Sequence, residues 1–348
     1  MYSESDLEGA VAAGAIPQSA ADAFRRHIAT TREAPAVDEE SFRLLTGFND
    51  IFVAIAIALL LAALGQLGHW VNNALAGAAV AVASWGLAEY FTRVRRMALP
   101  SILLTLTFCG GVAATLIGLM ADLNPDLPER IDAVIAAGIA LVTAGAAWLH
   151  WKRFMVPITV AAGAVSVVAV LAALVVAVFV GDSQADAKTI LYPFILICGI
   201  ATFVLAMWWD GSDLQRQTRR SDVAFWLHLA AAPMIAHPIF HMLGVFEGTI
   251  GVAQAIIVMV LYVAFALIAL AIDRRALLVS SLAYVLYALS ALFQQAGAVE
   301  LSMAFTALVI GSALLSLSAF WHPMRRSVVA MTGALASRLP PVQMPIAA

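Results

Sequence analysis

Charge, cysteine and the loops that mark familiar enzymes are all scarce in this chain. Only 12% of its 348 residues are Asp, Glu, Lys or Arg, where a soluble domain carries about 25%. That shortage excludes an ordinary water-soluble fold. Two cysteines, Cys109 and Cys198, both inside apolar runs, leave no disulfide framework and no zinc-type Cys spacing, so both read as small core residues. A net charge of -3 provides no basic surface for nucleic acid and no polybasic membrane patch. There is no phosphate-binding glycine loop and no serine elbow between glycines, which argues against a nucleotide cassette or a serine hydrolase.

What is present is apolar sequence. Hydrophobic residues make up 63% of the chain and the mean hydropathy is +0.93. Ten runs are long enough to cross about 30 Å of hydrocarbon: 49–68, 74–91, 99–121, 131–149, 155–180, 189–208, 223–244, 249–272, 276–296 and 300–321. Lipid cannot satisfy a bare backbone, so each run should be a helix. Barrel strands are excluded because they need short alternating segments. The expected fold is therefore an all-α polytopic transmembrane bundle. It comprises a cytoplasmic helical hairpin and linker over 1–45, the bundle over 46–322 and a cytoplasmic tail over 323–348. Small-residue runs, "GAAVAVASWG" at 77–86 and "AAGIALVTAGAA" at 136–147, read as helix-packing surfaces.

Lys and Arg set the orientation. The N-terminal segment, the even-numbered loops and the tail carry seventeen of them, and the odd-numbered loops only Arg130 and Lys188. The positive-inside rule then places both termini in the cytoplasm. No charged start followed by a short apolar core precedes the first run, so that run itself is expected to direct insertion. "RRMALP" at 95–100, "KRFMVP" at 152–157 and "RRALLV" at 274–279 each place a basic pair between two runs. They suggest a bundle assembled from hairpins with tight cytoplasmic turns.

The front end reads "ESDLEGAVAAGAIPQSAADAFRRHIATTREAPAVDEE". A helix from an N-cap at Ser5 should stop near Gly14, and a second should open at Gln18 or Ser19 and run through Ile28. Leu7, Val11, Ile16, Phe24 and Ile28 would close a minimal core. Thr31 to Glu40, with Pro35 and a run of acids, reads as a linker. The stretch "DLEGAVAAGAIPQSAADAF", followed by "RLLTGFNDIFVAIAIALLLAALG", resembles a family of bacterial inner-membrane proteins that carry a domain of unknown function. The resemblance covers the front end and the first run. It implies a polytopic protein of the bacterial cytoplasmic membrane and supplies no catalytic residue.

Three pairs, Asp50 with Asp222, His69 with His241 and His150 with His322, share one offset of 172 residues. They raise the possibility of a duplicated four-helix unit, as in many transporters; the opposing reading is that these residue types collect at membrane interfaces anyway.

Chemistry concentrates in the seventh run, "WLHLAAAPMIAHPIFHMLG" at 226–244. His237 and His241 fall on one helical face with Met234, and His228 lies nearly opposite. Pro233 and Pro238 remove two backbone donors, so a kinked helix lining a cavity is expected. Glu89, the deepest acid, has Arg93 one turn on in the favourable order, and reads as an interfacial pair or a gating acid. Asp50 and Asp222 read as helix-start residues.

No cofactor is expected from composition. The metal candidates are Met234, His237 and His241, with His69 if the duplication brings it near, for copper or zinc. A haem b site would need His228 and His241 on one face, and their spacing falls one short of the about 14 residues that return a helix to the same side. "HPIFH" resembles the His-x-x-x-His of zinc-dependent intramembrane hydrolases such as the ceramidase-like family, without their accompanying Ser, Asp and third His. The plain reading of these histidines is a polar seam hydrogen-bonding across helices. The leading functional expectation is transport or small-ligand binding, with the seventh run lining a cavity at His228, Met234, His237 and His241, and with Glu89. One alternative is an accessory or structural protein that docks a partner through residues 5–30. The other is a metal-dependent membrane enzyme or redox protein. The lipid bilayer is the one certain partner, and oligomeric state has no signal in the sequence.

Overall fold

A left-handed glycine and a proline shape the N-terminal unit. The computed structural model describes residues 4–31, 48–123, 127–180, 187–214, 216, 218–244, 251–295, 301–333, 336, 339, 340 and 342. The chain divides into two compact units, Met1–Arg43 and Leu44–Ala348. In the first, α1 (Glu4–Ala12) ends before Gly14, whose φ of +70° suits a residue without Cβ. The Ala15 amide closes the end by donating to the Ala10 carbonyl at 2.9 Å. Helix α2 (Gln18–Thr31) opens after Pro17, whose carbonyl accepts from the Ala20 and Ala21 amides. Ala21 is fully buried, and Leu7, Val11, Ile16 and Phe24 are half-buried, as the sequence pattern expects. The Ile28 side chain and the predicted linker around Pro35 lie outside what is described.

The second unit is all helix among its described residues. Its elements are α3 (Phe48–Val71), α4 (Asn73–Ala88) continued by a π-helical turn (Glu89–Val94), α5 (Ala98–Leu123) and α6 (Glu129–Phe154). Then follow α7 (Ile158–Val175) with a π-helical turn (Val176–Val180), α8 (Ala187–Gly211), α9 (Arg219–Met242), α10 (Val252–Ile272), α11 (Ala276–Gln295), α12 (Ser302–Ala319) and α13 (Trp321–Met331). Nine of the helices among the described residues are long and apolar enough to cross a membrane. Helix α11 occupies the place of the ninth expected run. Large apolar side chains such as Phe52, Leu59, Val82, Leu141 and Ile197 point outward, the arrangement expected where lipid replaces water around the bundle. The protein is an integral membrane helical bundle.

Consecutive helices pack as hairpins: α4 with α5, α6 with α7, α8 with α9 and α10 with α11. Each connection holds one non-glycine residue with positive φ: Arg96, Met155, Arg216 and Asp273. At Met155 and Asp273 this is the left-handed residue that follows the helix end, and its amide donates back to Trp151 and Ala269 respectively. Basic-pair turns and left-handed reversals thus coincide, which gives the "RRMALP" pattern a structural basis.

Close approach within the first hairpin depends on glycine. A Cβ at Gly77 would come within 2.2 Å of the Thr115 amide nitrogen, one at Gly111 within 2.7 Å of the Ala81 nitrogen, and one at Gly118 within 2.4 Å of the Asn73 carbonyl carbon. The second small-residue run behaves differently. Within this run of α6 the buried positions are Ala137, Thr143 and Ala147, while Gly138 and Gly145 have nothing within 4 Å of an added Cβ. At the start of α4, Asp122 of α5 accepts from the Asn73 and Ala74 amides at 3.1 and 3.0 Å, placing a carboxylate at a helix N-terminus.

Helix α9 lies at the centre of its neighbours. Half of its apolar window is buried, against at most 33% in any other candidate span. It packs on α7, α8 and α11, and it runs unbroken through Pro233 and Pro238.

The members of the 172-residue pairs occupy unlike surroundings. His150 is fully buried on α6, whereas His322 is exposed on α13; His69 is exposed, whereas His241 is half-buried. A different correspondence stands out. Glu89 pairs with Arg153, and Asp210 pairs with Arg274, each across the same 64 residues. The first pair ties the α4–α5 hairpin to α6–α7, and the second ties α8–α9 to α10–α11.

Candidate functional site

The charged groups of highest interest converge where α8, α9, the α10–α11 turn and α13 meet. Asp210, near the end of α8, is 2% exposed, and Arg274 grips it with a two-pronged guanidinium: Nη2 donates to Oδ1 at 2.6 Å and Nε to Oδ2 at 3.2 Å. The same Nη2 reaches the Ser221 carbonyl of α9 at 3.2 Å. His228 of α9, 1% exposed, presents Nε2 at 3.4 Å from Asp210 Oδ2. That contact is long and off-line, so neither ring nitrogen makes a well-formed hydrogen bond. The Phe203 ring closes over the imidazole edge-on at 5.1 Å.

A second layer continues the network. Arg216 Nη1 donates to Asp273 Oδ2 at 3.2 Å, and its Nη2 donates to the carbonyls of Ile272 and Asp273. Trp321 Nε1 of α13 donates to Asp273 Oδ1 at 2.7 Å, and the Arg275 guanidinium lies over the Trp321 ring at 4.7 Å. Arg325 sits 3.5 Å from Asp273 and donates to the Pro340 carbonyl. Buried charges persist only when paired and hydrogen-bonded, and here two carboxylates organise the ends of four helices.

Toward the other end of α9 the side chains are histidine and tyrosine. His237 Nδ1 and the Tyr284 hydroxyl of α11 lie 2.8 Å apart. His241 stacks on Tyr192 of α8 with ring centroids 4.0 Å apart, and the two imidazoles stand 6.2 Å from each other. Phe240 stacks on Tyr284 at 4.5 Å. Met234 shares the predicted face but faces Gly199 of α8, where a Cβ would come within 2.9 Å of it. Helices α8 and α9 approach closely there because Gly199 has no side chain. Tyr284→Phe should remove one interhelical hydrogen bond and lower stability by about 0.6 kcal/mol. Thermal unfolding of the detergent-solubilised protein reads this, and a loss several times larger would mean that the hydroxyl anchors the whole α9–α11 contact.

Glu89 is held mainly by a residue that spacing along one helix could not reveal. Arg153 of α6 donates to both its oxygens at 2.7 and 2.9 Å, and the expected partner Arg93 lies farther, at 3.4 Å. Below this exposed pair, His150 is enclosed by Trp85, Phe108 and Phe154 with ring centroids at 4.6 to 6.0 Å, and its Nδ1 lies 3.3 Å from Thr159 Oγ1.

The structure therefore separates the residues that the sequence grouped. His237 and His241 stay together, His228 belongs to the Asp210 cluster, and Glu89 serves a different pair of hairpins. His69, at the end of α3, is within electrostatic reach of Asp122 of α5. Among the described residues, no three or more His, Cys, Asp or Glu side chains converge in a way that could hold a metal ion. Sequence reasoning missed Asp210 because it stands two residues beyond the apolar run that ends at 208. The helix continues through "WWDG" and carries the acid inward. No protein-family model, no curated protein and no solved structure matches this chain.

Proposed function

We propose that the protein is a transporter of a small polar solute, with α9 as the helix that carries the path. The supporting observation is the burial of Asp210, Arg274 and His228 against this central helix. Ionisable groups inside a membrane bundle are costly, and where they persist they usually mark ion or substrate pathways. Helix α9 places His228 against Asp210 and Arg274 near one end, and His237 and His241 beside Tyr284 of α11 near the other. His228 and His237 are separated by about 13 Å of helix rise. Between them Ala231, Ala232 and Ala236 are buried, small side chains that allow close helix approach.

In this reading the bundle has ten spans, α3 to α12, and sits in a bacterial cytoplasmic membrane. The excess of Lys and Arg on one side supports placing the Asp210 cluster and both termini in the cytoplasm.

The test is reconstitution into proteoliposomes and counterflow with a panel of labelled organic acids, amino acids, sugars and inorganic ions. Saturable uptake of at least one solute, lost in Asp210→Asn, is expected. Uptake across the whole panel no greater than in protein-free vesicles would overturn the reading.

A further inference from the structure

The two acid–arginine pairs that join adjacent hairpins span the same 64 residues yet differ in surroundings. Glu89 and Arg153 are exposed by a third or more. Asp210 and Arg274 are each 3% exposed in their side chains, and only their pair has a histidine beside the carboxylate. A neutral imidazole in that position is poorly served. With the proton on Nε2, its N–H meets Asp210 at 3.4 Å off-line; with the proton on Nδ1, its N–H meets no acceptor. Burial with neither nitrogen well bonded is a cost the fold carries.

We propose that Asp210, His228 and Arg274 form a proton-operated latch, in which a proton taken up by His228 loosens the hold of the α10–α11 turn on α8–α9. This rests on the transport reading and names its coupling ion. A hydronium ion gives its proton to the ring nitrogen that is unprotonated in neutral His228: one N–H bond forms, one O–H bond breaks, and water leaves. The imidazolium then faces Asp210 as a second cation competing for one negative charge. A charged donor shortens and strengthens its bond to the carboxylate, while like charge repels the guanidinium. Arg274 loses its fork on Asp210 of α8 and its bond to the Ser221 carbonyl of α9, while Arg216 still holds Asp273, so the turn pivots about that second pair.

The groups that face the pair are consistent with a switch. From α9 come Ser221 and, within electrostatic reach of Arg274, Asp222; from the α8–α9 connection comes Arg216; from α8 comes the uncharged Phe203. The α10–α11 turn supplies Arg274 itself, with Asp273 tied to Arg216, and α13 supplies Arg325 against Asp273. Helices α7 and α11, which also pack on α9, contain no Asp, Glu, Lys, Arg or His. Arg216 and Arg274 both disfavour a second cation beside Asp210, and Asp222 lies within electrostatic reach of Arg274 as an alternative acid once the fork opens, so uptake of the proton favours separation.

Spin labels at Ser212→Cys and Val279→Cys, in full-length protein carrying Cys109→Ala and Cys198→Ala, read the distance between the two hairpins by double electron–electron resonance. The distance should lengthen by several ångströms as the pH is lowered from about 8 to about 4. His228→Gln, which cannot take the proton, should stay at the short distance at both pH values; Asp210→Asn should give the long distance at both; Arg153→Gln, in the exposed pair, should respond like the parent. A distance that does not change with pH, or an unchanged response in His228→Gln, overturns the latch. Flux that is independent of pH would remove the proton coupling and leave transport standing. A pH-responsive distance in a protein that moves no solute would support the latch and remove the transport reading.

Discussion

Arg274→Met alone should destabilise the solubilised protein by about 3–5 kcal/mol, and the Asp210→Leu, Arg274→Met double variant should recover more than half of that loss. The asymmetry follows from burial. In the parent Asp210 is 2% exposed, and the single variant leaves its charge with a long contact to His228 and the more distant Arg216. In the double variant no charge is left to solvate, and two apolar side chains of similar volume fill the site. Arg274 also donates to the Ser221 carbonyl, which the double variant cannot replace, so recovery should be incomplete. Thermal unfolding of the three proteins in one detergent makes the comparison. If the double variant were as unstable as the single, the network would act through geometry, with Arg274 holding α9 at Ser221 more than neutralising Asp210.

Gly77→Ala and Gly145→Ala should have opposite signs. Each adds one methyl group to an apolar helix. At Gly77 the new Cβ would meet the backbone of α5 at 2.2 Å, a distance that forces α4 and α5 apart along their whole contact. A cost at or above the upper end of the about 1–3 kcal/mol typical of overpacking is expected, because the obstacle is backbone and cannot rotate away. At Gly145 nothing lies within 4 Å, and alanine should stabilise by about 0.8–1 kcal/mol through helix propensity. Melting temperatures in detergent settle both. A harmless Gly77→Ala would show that the first hairpin tolerates a wider spacing than the one observed.

The contrast between these glycines shows where sequence reading stops. Both belong to small-residue runs of the same appearance, and composition marks both as packing surfaces. Only the placement of α5 against one and open space beside the other separates them. Glu89 makes the same point for charge. Its i,i+4 partner Arg93 follows from helical geometry, but its stronger partner Arg153 stands 64 residues away on another hairpin. Asp210 was harder to see because hydropathy assigns a run's end where apolar residues stop, while a helix continues as long as its backbone bonds do.

The amino-acid sequence by itself determined that the chain is helical and membrane-embedded, and where its apolar runs begin and end within a few residues. These properties depend on local hydrophobicity and on the need of a backbone in lipid to bond within its own segment. It also marked α9 as the span with unusual chemistry. Which side chains share a site was decided only by tertiary structure. A pairing such as Asp210 with Arg274 depends on how hairpins pack, and contacts across helices leave no periodic trace in a single chain.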